Sequence, residues 1–180
     1  MALHLFKNMR KEDENMKPFI LVIEDERRFQ KEARDFFGEH ARGYEFRFAS
    51  NWEEIKPLLL DAELLEALMG IICDSRFPLS EEFPEPVPLC TRVLAEFHHM
   101  RGIPLVVVSS LFHHHQQQEW ISDWLHAEGL PYIIDDGSWN EQENPSARKN
   151  WRTAWEMLLK QMDIRPKKPA TSSFSPAFTM

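Results

Sequence analysis

The stretch Pro18-Phe19-Ile20-Leu21-Val22-Ile23-Glu24-Asp25-Glu26 decides how this chain folds. Successive side chains of a strand point to opposite sides, so an unbroken apolar run such as Phe19 to Ile23 has no face left for water. Such a strand belongs in the middle of a parallel sheet with both faces covered. The run stops in three acids, Glu24, Asp25 and Glu26, where the chain must leave the sheet.

The same plan repeats downstream. Phe29, Ala33, Phe36, Phe37 and His40 recur at helical spacing, with Gly38 near the expected end. Tyr44, Phe46 and Phe48 alternate with Glu45, Arg47 and Ala49 in the period of a strand. Asn51 then has the side chain of a helix cap, ahead of Trp52, Ile55, Leu58, Leu59, Leu64, Leu65 and Leu68, and Pro57 either opens or kinks that helix. Met69, Ile71, Ile72 and Cys73 form a third strand running into Asp74. A connector carrying Pro78, Pro84, Pro86 and Pro88 follows, and Cys90, Val93, Leu94, Phe97 and Met100 resume helical spacing. Leu105 to Val108 is a fourth strand ending at Ser109 and Ser110, with a helix bearing Trp120, Ile121, Trp124 and Leu125 beyond it. Tyr132, Ile133 and Ile134 read as a fifth strand. Asn144 and Pro145 read as the opening of a last helix with Ala147, Trp151, Ala154, Trp155, Leu158 and Met162 on one face. Strict alternation of doubly apolar strands and helices predicts a doubly wound five-stranded parallel sheet with helices on both faces.

Composition agrees with a single domain of this kind. The chain has 180 residues, 43% of them hydrophobic, and a formal net charge of −8. Residues 1–17 and 163–180 are polar and read as tails, leaving 18–162 as the folded domain. No apolar run approaches the roughly 18 to 20 residues that cross a bilayer. Two cysteines make no disulfide or metal framework, which suits a reducing, cytoplasmic setting. The acidic balance disfavours phosphate-backbone binding, so no nucleic-acid partner is expected. None of the six glycines follows the first strand at dinucleotide-binding or P-loop spacing.

In an open sheet of this type, ligands bind beyond the carboxyl ends of the strands. The residues found there are Glu24, Asp25 and Glu26, then Asp74, then Ser109 and Ser110, then Asp135 and Asp136. Glu24, Asp25 and Asp74 brought together form a hard oxygen cage suited to magnesium. Without a cation they repel one another, which raises the pKa of at least one. Lone strand-end acids are more often solvated or cap the next helix, but three acids from two strands favour a shared task.

These segments resemble the receiver domain of bacterial two-component response regulators, over residues Pro18 to Gln161. Ile20-Leu21-Val22-Ile23-Glu24-Asp25-Glu26 is similar to the family's first strand, whose acidic pair holds magnesium. Ile71-Ile72-Cys73-Asp74-Ser75-Arg76-Phe77-Pro78 is similar to the phosphoacceptor strand, with proline four residues after the aspartate. Pro104-Leu105-Val106-Val107-Val108-Ser109-Ser110 is similar to the fourth strand, whose terminal hydroxyl bonds the phosphoryl group. The resemblance implies a flavodoxin-like fold and a magnesium ion held by Glu24, Asp25, Asp74 and the Arg76 carbonyl. It also implies phosphorylation of Asp74, a hydrogen bond from Ser109, and a rotamer switch at Tyr132. Beyond self-phosphorylation and dephosphorylation it implies no enzyme, and its partners would be a histidine kinase or phosphotransfer protein and other signalling proteins.

One position departs from the family pattern. Where receivers carry a lysine after the fifth strand, this chain has Asp135, which would repel phosphoryl oxygens that the lysine attracts. Arg76 is either a compensating cation, a tethered partner for Glu24 and Asp25, or a surface side chain. The departure and the long connector keep a second reading open: a pseudoreceiver acting as a phosphorylation-independent interaction module. A magnesium-dependent phosphotransferase or phosphatase ranks third, for want of a substrate domain. His113, His114 and His115 before Gln116 to Gln118 read as a loop and helix start or a partner-facing patch rather than a metal site. Cys73 reads as structural. The pairs Trp120 with Trp124 and Trp151 with Trp155 read as packing faces, whose exposed halves would serve a homodimer.

Overall fold

The computed structural model describes residues 17–110, 119–135 and 148–164. Strands β1 (Phe19–Ile23), β2 (Glu45–Ala49), β3 (Leu68–Asp74) and β4 (Leu105–Val108) form a parallel sheet in the order β2-β1-β3-β4. Between and after them run α1 (Arg27–His40), α2 (Trp52–Ile55), α3 (Ala62–Ala67), α4 (Cys90–Val93), α5 (Glu119–Ala127) and α6 (Trp151–Ile164).

Alternate strand residues feed two separate cores. Phe19, Leu21, Ile23, Ile71, Cys73, Leu105 and Val107 meet Trp52, Ile55, Leu64, Val93, Leu94, Ile121 and Leu125 on one side, so α2 to α5 cover that face. Ile20, Val22, Ile72, Val106 and Val108 meet Phe29, Ala33 and Phe37 of α1 and Trp151, Ala154, Trp155 and Leu158 of α6 on the other. The doubly apolar first strand is thus explained by two covered faces. Helix α6 lies close on the sheet because Gly70 of β3 leaves room: a Cβ there would stand 3.0 Å from a Leu158 methyl.

The helix expected after Asn51 is broken in three. Asn51 caps α2, its Oδ1 accepting the Glu54 N–H at 3.0 Å, as its side chain predicts. Pro57 then sits in a 3-10 turn over Lys56–Leu60, and Asp61 caps α3 by accepting from the backbone of Glu63 and Leu64. Leu68, expected on that helix, instead opens β3. The helix after the Pro-rich connector passes into a π-helical turn over Leu94–His99.

The sheet has four strands among the described residues where five were expected. Tyr132, Ile133 and Ile134 reach the fifth position but make only a parallel bridge, Ile134 to Val108. Ile134 donates to the Val107 carbonyl at 3.0 Å and accepts from the Ser109 N–H at 2.9 Å. The neighbouring Ile133 N–H donates instead to Ser122 Oγ of α5 at 3.4 Å, which ties this segment to the helix. The last helix begins later than expected, since residues 148–150 are irregular and Asn150 accepts the Thr153 N–H at 3.1 Å as a cap. Asn144, Pro145, Ala147, Asp136, the His113 to Gln118 patch and the expected tails, apart from residues 17, 163 and 164, lie outside the described residues. Helix α6 continues to Ile164, just past the expected domain end. No described helix is long and apolar enough to cross a membrane.

Candidate functional site

Parallel register brings the strand ends level. Ile23 pairs with Cys73 and Asp74 with Val108, so Glu24, Asp74 and Ser109 emerge at one edge. Glu24 is fixed at its backbone: its N–H donates to the Ala49 carbonyl at 2.9 Å, and its carbonyl accepts the Gln30 amide at 2.6 Å. Gln30 donates also to Ser50 Oγ at 2.9 Å, tying the β1 and β2 ends together. One carboxylate oxygen from each of Glu24, Asp25 and Asp74 lies within 4.8 Å of the others. The convergence of these three acids, expected from the strand ends, is therefore present.

A fourth member was not expected. Lys149 places its ammonium 2.6 Å from Asp74 Oδ2 and 2.5 Å from Glu24 Oε2, with its side chain 1% exposed. The Phe29 ring lies 4.8 Å from Nζ and closes the site on the α1 side. The position after the fifth strand carries Asp135, as the sequence says, yet the ammonium comes from further along the chain. It stands just before α6, and the N-termini of the helices lie at the same edge as the carboxyl ends of the strands. The sequence carried no signal for it: a last helix opening at Asn144 and Pro145 places Lys149 inside the helix, and only the later start at Trp151 delivers it to the acidic edge.

The electrostatics follow from three carboxyl groups sharing one ammonium. Burial, reinforced by Asp74 and outweighing Lys149, pushes Glu24 up to about 8. Burial and then Asp74 push Asp25 up to about 6. Burial alone would lower Lys149, but Asp74 and Glu24 overcome it and hold the lysine above its usual range. Glu24 is pushed further up than Asp25 because it is the more deeply buried of the two. Glu24 Oε2 accepts the Lys149 N–H, while its Oε1 accepts the Glu26 N–H at 3.0 Å. The rise anticipated for unpaired strand-end acids is found even with a partner present.

The remaining residues fall as follows. Asp74 Oδ1 accepts the Ser75 hydroxyl at 3.3 Å and the Arg76 N–H at 3.5 Å. The Arg76 guanidinium donates to the Pro86 carbonyl at 3.1 Å, so it braces the Pro-rich connector and is not a partner for Glu24 and Asp25. Phe77 and Val87 pair antiparallel across the base of that connector. Ser109 is buried immediately after β4. Tyr132 is half-exposed and stacks on His126, ring centroids 4.4 Å apart. Cys73 is structural, as expected: its thiol donates to the Asp74 carbonyl, and burial holds its pKa well above the ordinary value. Of the paired tryptophans, Trp151 and Trp155 are buried and Trp124 is half-buried, which leaves Trp120 alone exposed and removes the two-patch surface expected for a dimer.

The three carboxylates suit a hard divalent cation, and Lys149 already marks the point between Glu24 and Asp74 as one where the chain itself places positive charge. No family model and no curated protein sequence matches this chain. Its backbone is similar to solved structures. A response regulator receiver domain protein (CheY-like) from Methanospirillum hungatei JF-1 superposes with a TM-score of 0.50 at 16% identity, over 82% of this chain and 98% of that one. The bacteriophytochrome response regulator AtBRR superposes with a TM-score of 0.50 at 13% identity, over 86% of this chain and 98% of that one. With its strand order, its two helical layers and its acidic strand ends, the chain has the fold of the CheY-like receiver domains of response regulators.

Proposed function

We propose that this protein is a receiver-like signalling domain that accepts a phosphoryl group on Asp74. The observation that carries the reading is the Lys149 ammonium on Asp74 beside the Glu24, Asp25 and Asp74 carboxyl cluster. Phosphoryl transfer to a carboxylate brings two anions together, and catalysis rests on positioning and on neutralising the equatorial oxygens. An Asp74 oxygen attacks phosphorus of the donor, the bond from phosphorus to the leaving oxygen breaks, and the donor departs with that electron pair. Lys149 supplies the cation that Asp135 does not. Glu24, Asp25, Asp74 and the Arg76 carbonyl would hold magnesium, which when bound neutralises phosphoryl charge. Ser109, buried at the end of the neighbouring strand, is assigned the hydrogen bond to a phosphoryl oxygen, and Tyr132 the conformational response. A histidine kinase or phosphotransfer protein is the fitting donor.

One observation favours a second reading. Lys149 bonds Glu24 as well as Asp74, so the cluster is partly neutralised without metal, as suits a pseudoreceiver that works by partner binding alone. Intact-mass spectrometry after incubation with acetyl phosphate, with and without magnesium, separates the two. The phosphorelay reading expects a magnesium-dependent gain of one phosphoryl group that is absent in Asp74→Asn. No gain at any magnesium concentration sinks it in favour of the pseudoreceiver.

A further inference from the structure

We infer that the Pro-rich connector from Phe77 to Val87 is a docking loop for a partner protein whose surface sets apolar side chains among lysine or arginine, with Phe83 as the anchor. The inference stands apart from the chemistry of Asp74, because it uses no residue of the acidic cluster.

The loop is closed and pinned. Phe77 and Val87 exchange two backbone hydrogen bonds of 3.1 Å across its base, and the Arg76 guanidinium donates to the Pro86 carbonyl beside them. On the other flank the Pro78 and Leu79 carbonyls accept the Trp52 and Glu53 N–H groups at 3.0 and 3.1 Å, which seats the loop on the start of α2. Toward the tip, the Phe83 N–H donates to the Ser80 carbonyl at 3.2 Å and to the Ser80 hydroxyl at 3.3 Å. Pro84 and Pro86 restrict the backbone on either side of Glu85. Compact loops with joined ends frequently carry function, and a surface ordered before binding loses little entropy when it docks.

What this frame presents is not needed by the fold. The connector meets the core through Phe77, Leu79 and Leu89, whereas Glu81 to Val87 are all exposed and Phe83 keeps 62% of its surface in water. A single exposed apolar side chain is ordinary. Phe83, however, stands on a hydrogen-bonded turn with Glu81 and Glu82 before it and Glu85 after it, and the segment from Phe77 to Thr91 holds no lysine, arginine or histidine. The cations that flank the segment are engaged elsewhere, Arg76 at Pro86 and Arg92 over the Trp52 ring at 4.7 Å. Aromatic side chains are common anchors of protein interfaces, and a ring of carboxylates is complementary to a cationic rim. The same charges disfavour an anionic lipid surface or a nucleic acid. A second copy of this chain fits poorly, since it brings the same acidic loop and a formal net charge of −8.

Phage-displayed random peptides selected on the full chain, without magnesium or phosphodonor and with subtraction on Phe83→Ala, test this. Recovered peptides are synthesised and titrated by fluorescence polarisation. They should combine lysine or arginine with apolar residues, bind Phe83→Ala at least about tenfold more weakly, and bind the double variant Glu81→Gln, Glu82→Gln at least about threefold more weakly. Raised salt should weaken them as well. Recovery of no Phe83-dependent peptide, or of peptides without cationic residues, overturns the inference, as does salt-independent binding. Sedimentation equilibrium covers the remaining occupant: a wild-type dimer that Phe83→Ala abolishes assigns the loop to a second copy and overturns the inference too. Phe83→Ala should keep the wild-type urea midpoint. If it unfolds instead, the charge reversal Glu82→Lys, Glu85→Lys decides alone, with unchanged binding of the cationic peptides as the overturning result.

Discussion

Replacing Lys149 by Met keeps the length and apolar stem of the side chain and removes its charge. Breaking a buried ion pair by deleting one partner costs about 3–5 kcal/mol, because the other charge is left uncompensated. Here the orphan is chiefly Asp74. Glu24, whose carboxyl burial pushes up, holds its charge less readily and so asks less of the lost lysine. Asp74 has a side chain 12% exposed, which leaves it some water. Both facts place the loss at the lower end, about 3 kcal/mol, or a midpoint lowered by roughly 6–12 °C for a domain of this size. Urea unfolding followed by tryptophan fluorescence measures it, with an unchanged m-value showing that the folded state stays compact. Adding Asp74→Asn to Lys149→Met should recover at least about 1.5 kcal/mol, since the orphaned charge is gone. A Lys149→Met protein within about 0.5 kcal/mol of the wild type at pH 7 would refute the reasoning, for it would mean that the ammonium neutralises nothing.

Three further outcomes are expected. Glu24 has a folded pKa of about 8 against 4.5 for the free group, so between those values the folded protein holds a proton that the unfolded chain has lost. Stability therefore falls as pH rises from about 4.5 to about 8. Glu24→Gln should flatten that slope in unfolding curves taken across the window, and an unchanged slope contradicts the assignment. Asp25→Asn removes one oxygen of the cage, and isothermal titration should find magnesium bound at least about tenfold more weakly, about 1.4 kcal/mol; equal affinity would remove Asp25 from the site. Gly70→Val drives a branched side chain into Leu158 and should cost about 1–3 kcal/mol by overpacking, read as a lowered urea midpoint.

The sequence by itself determined the layers and the acidic edge. Residues Phe19 to Ile23 and Leu105 to Val108 are apolar on both faces, and only a sheet covered twice accommodates such strands. The acids after Ile23 and at the end of the third strand, Glu24, Asp25 and Asp74, could only emerge together, because parallel strands end on the same side. Asn51 announced its own cap for the same reason of locality: a side chain and a backbone N–H three residues away need no tertiary partner.

Tertiary structure decided what depends on contacts distant in the chain. Tyr132 to Ile134 has the composition of a strand, yet only one bridge forms where Val108 offers its edge. Arg76 looks like a cation for the site because it stands two residues from Asp74, but the folded connector draws its guanidinium to Pro86. Lys149 is separated from Glu24 by most of the chain and no local pattern marks it as a partner. The start of α6, laid over the sheet by Trp151, Trp155 and Leu158 and held at its far end by Gln161, carries this lysine to Asp74. Periodicity is local and can be read from sequence, whereas the charge balance of a buried site is a sum over chain segments that only folding brings within hydrogen-bond distance.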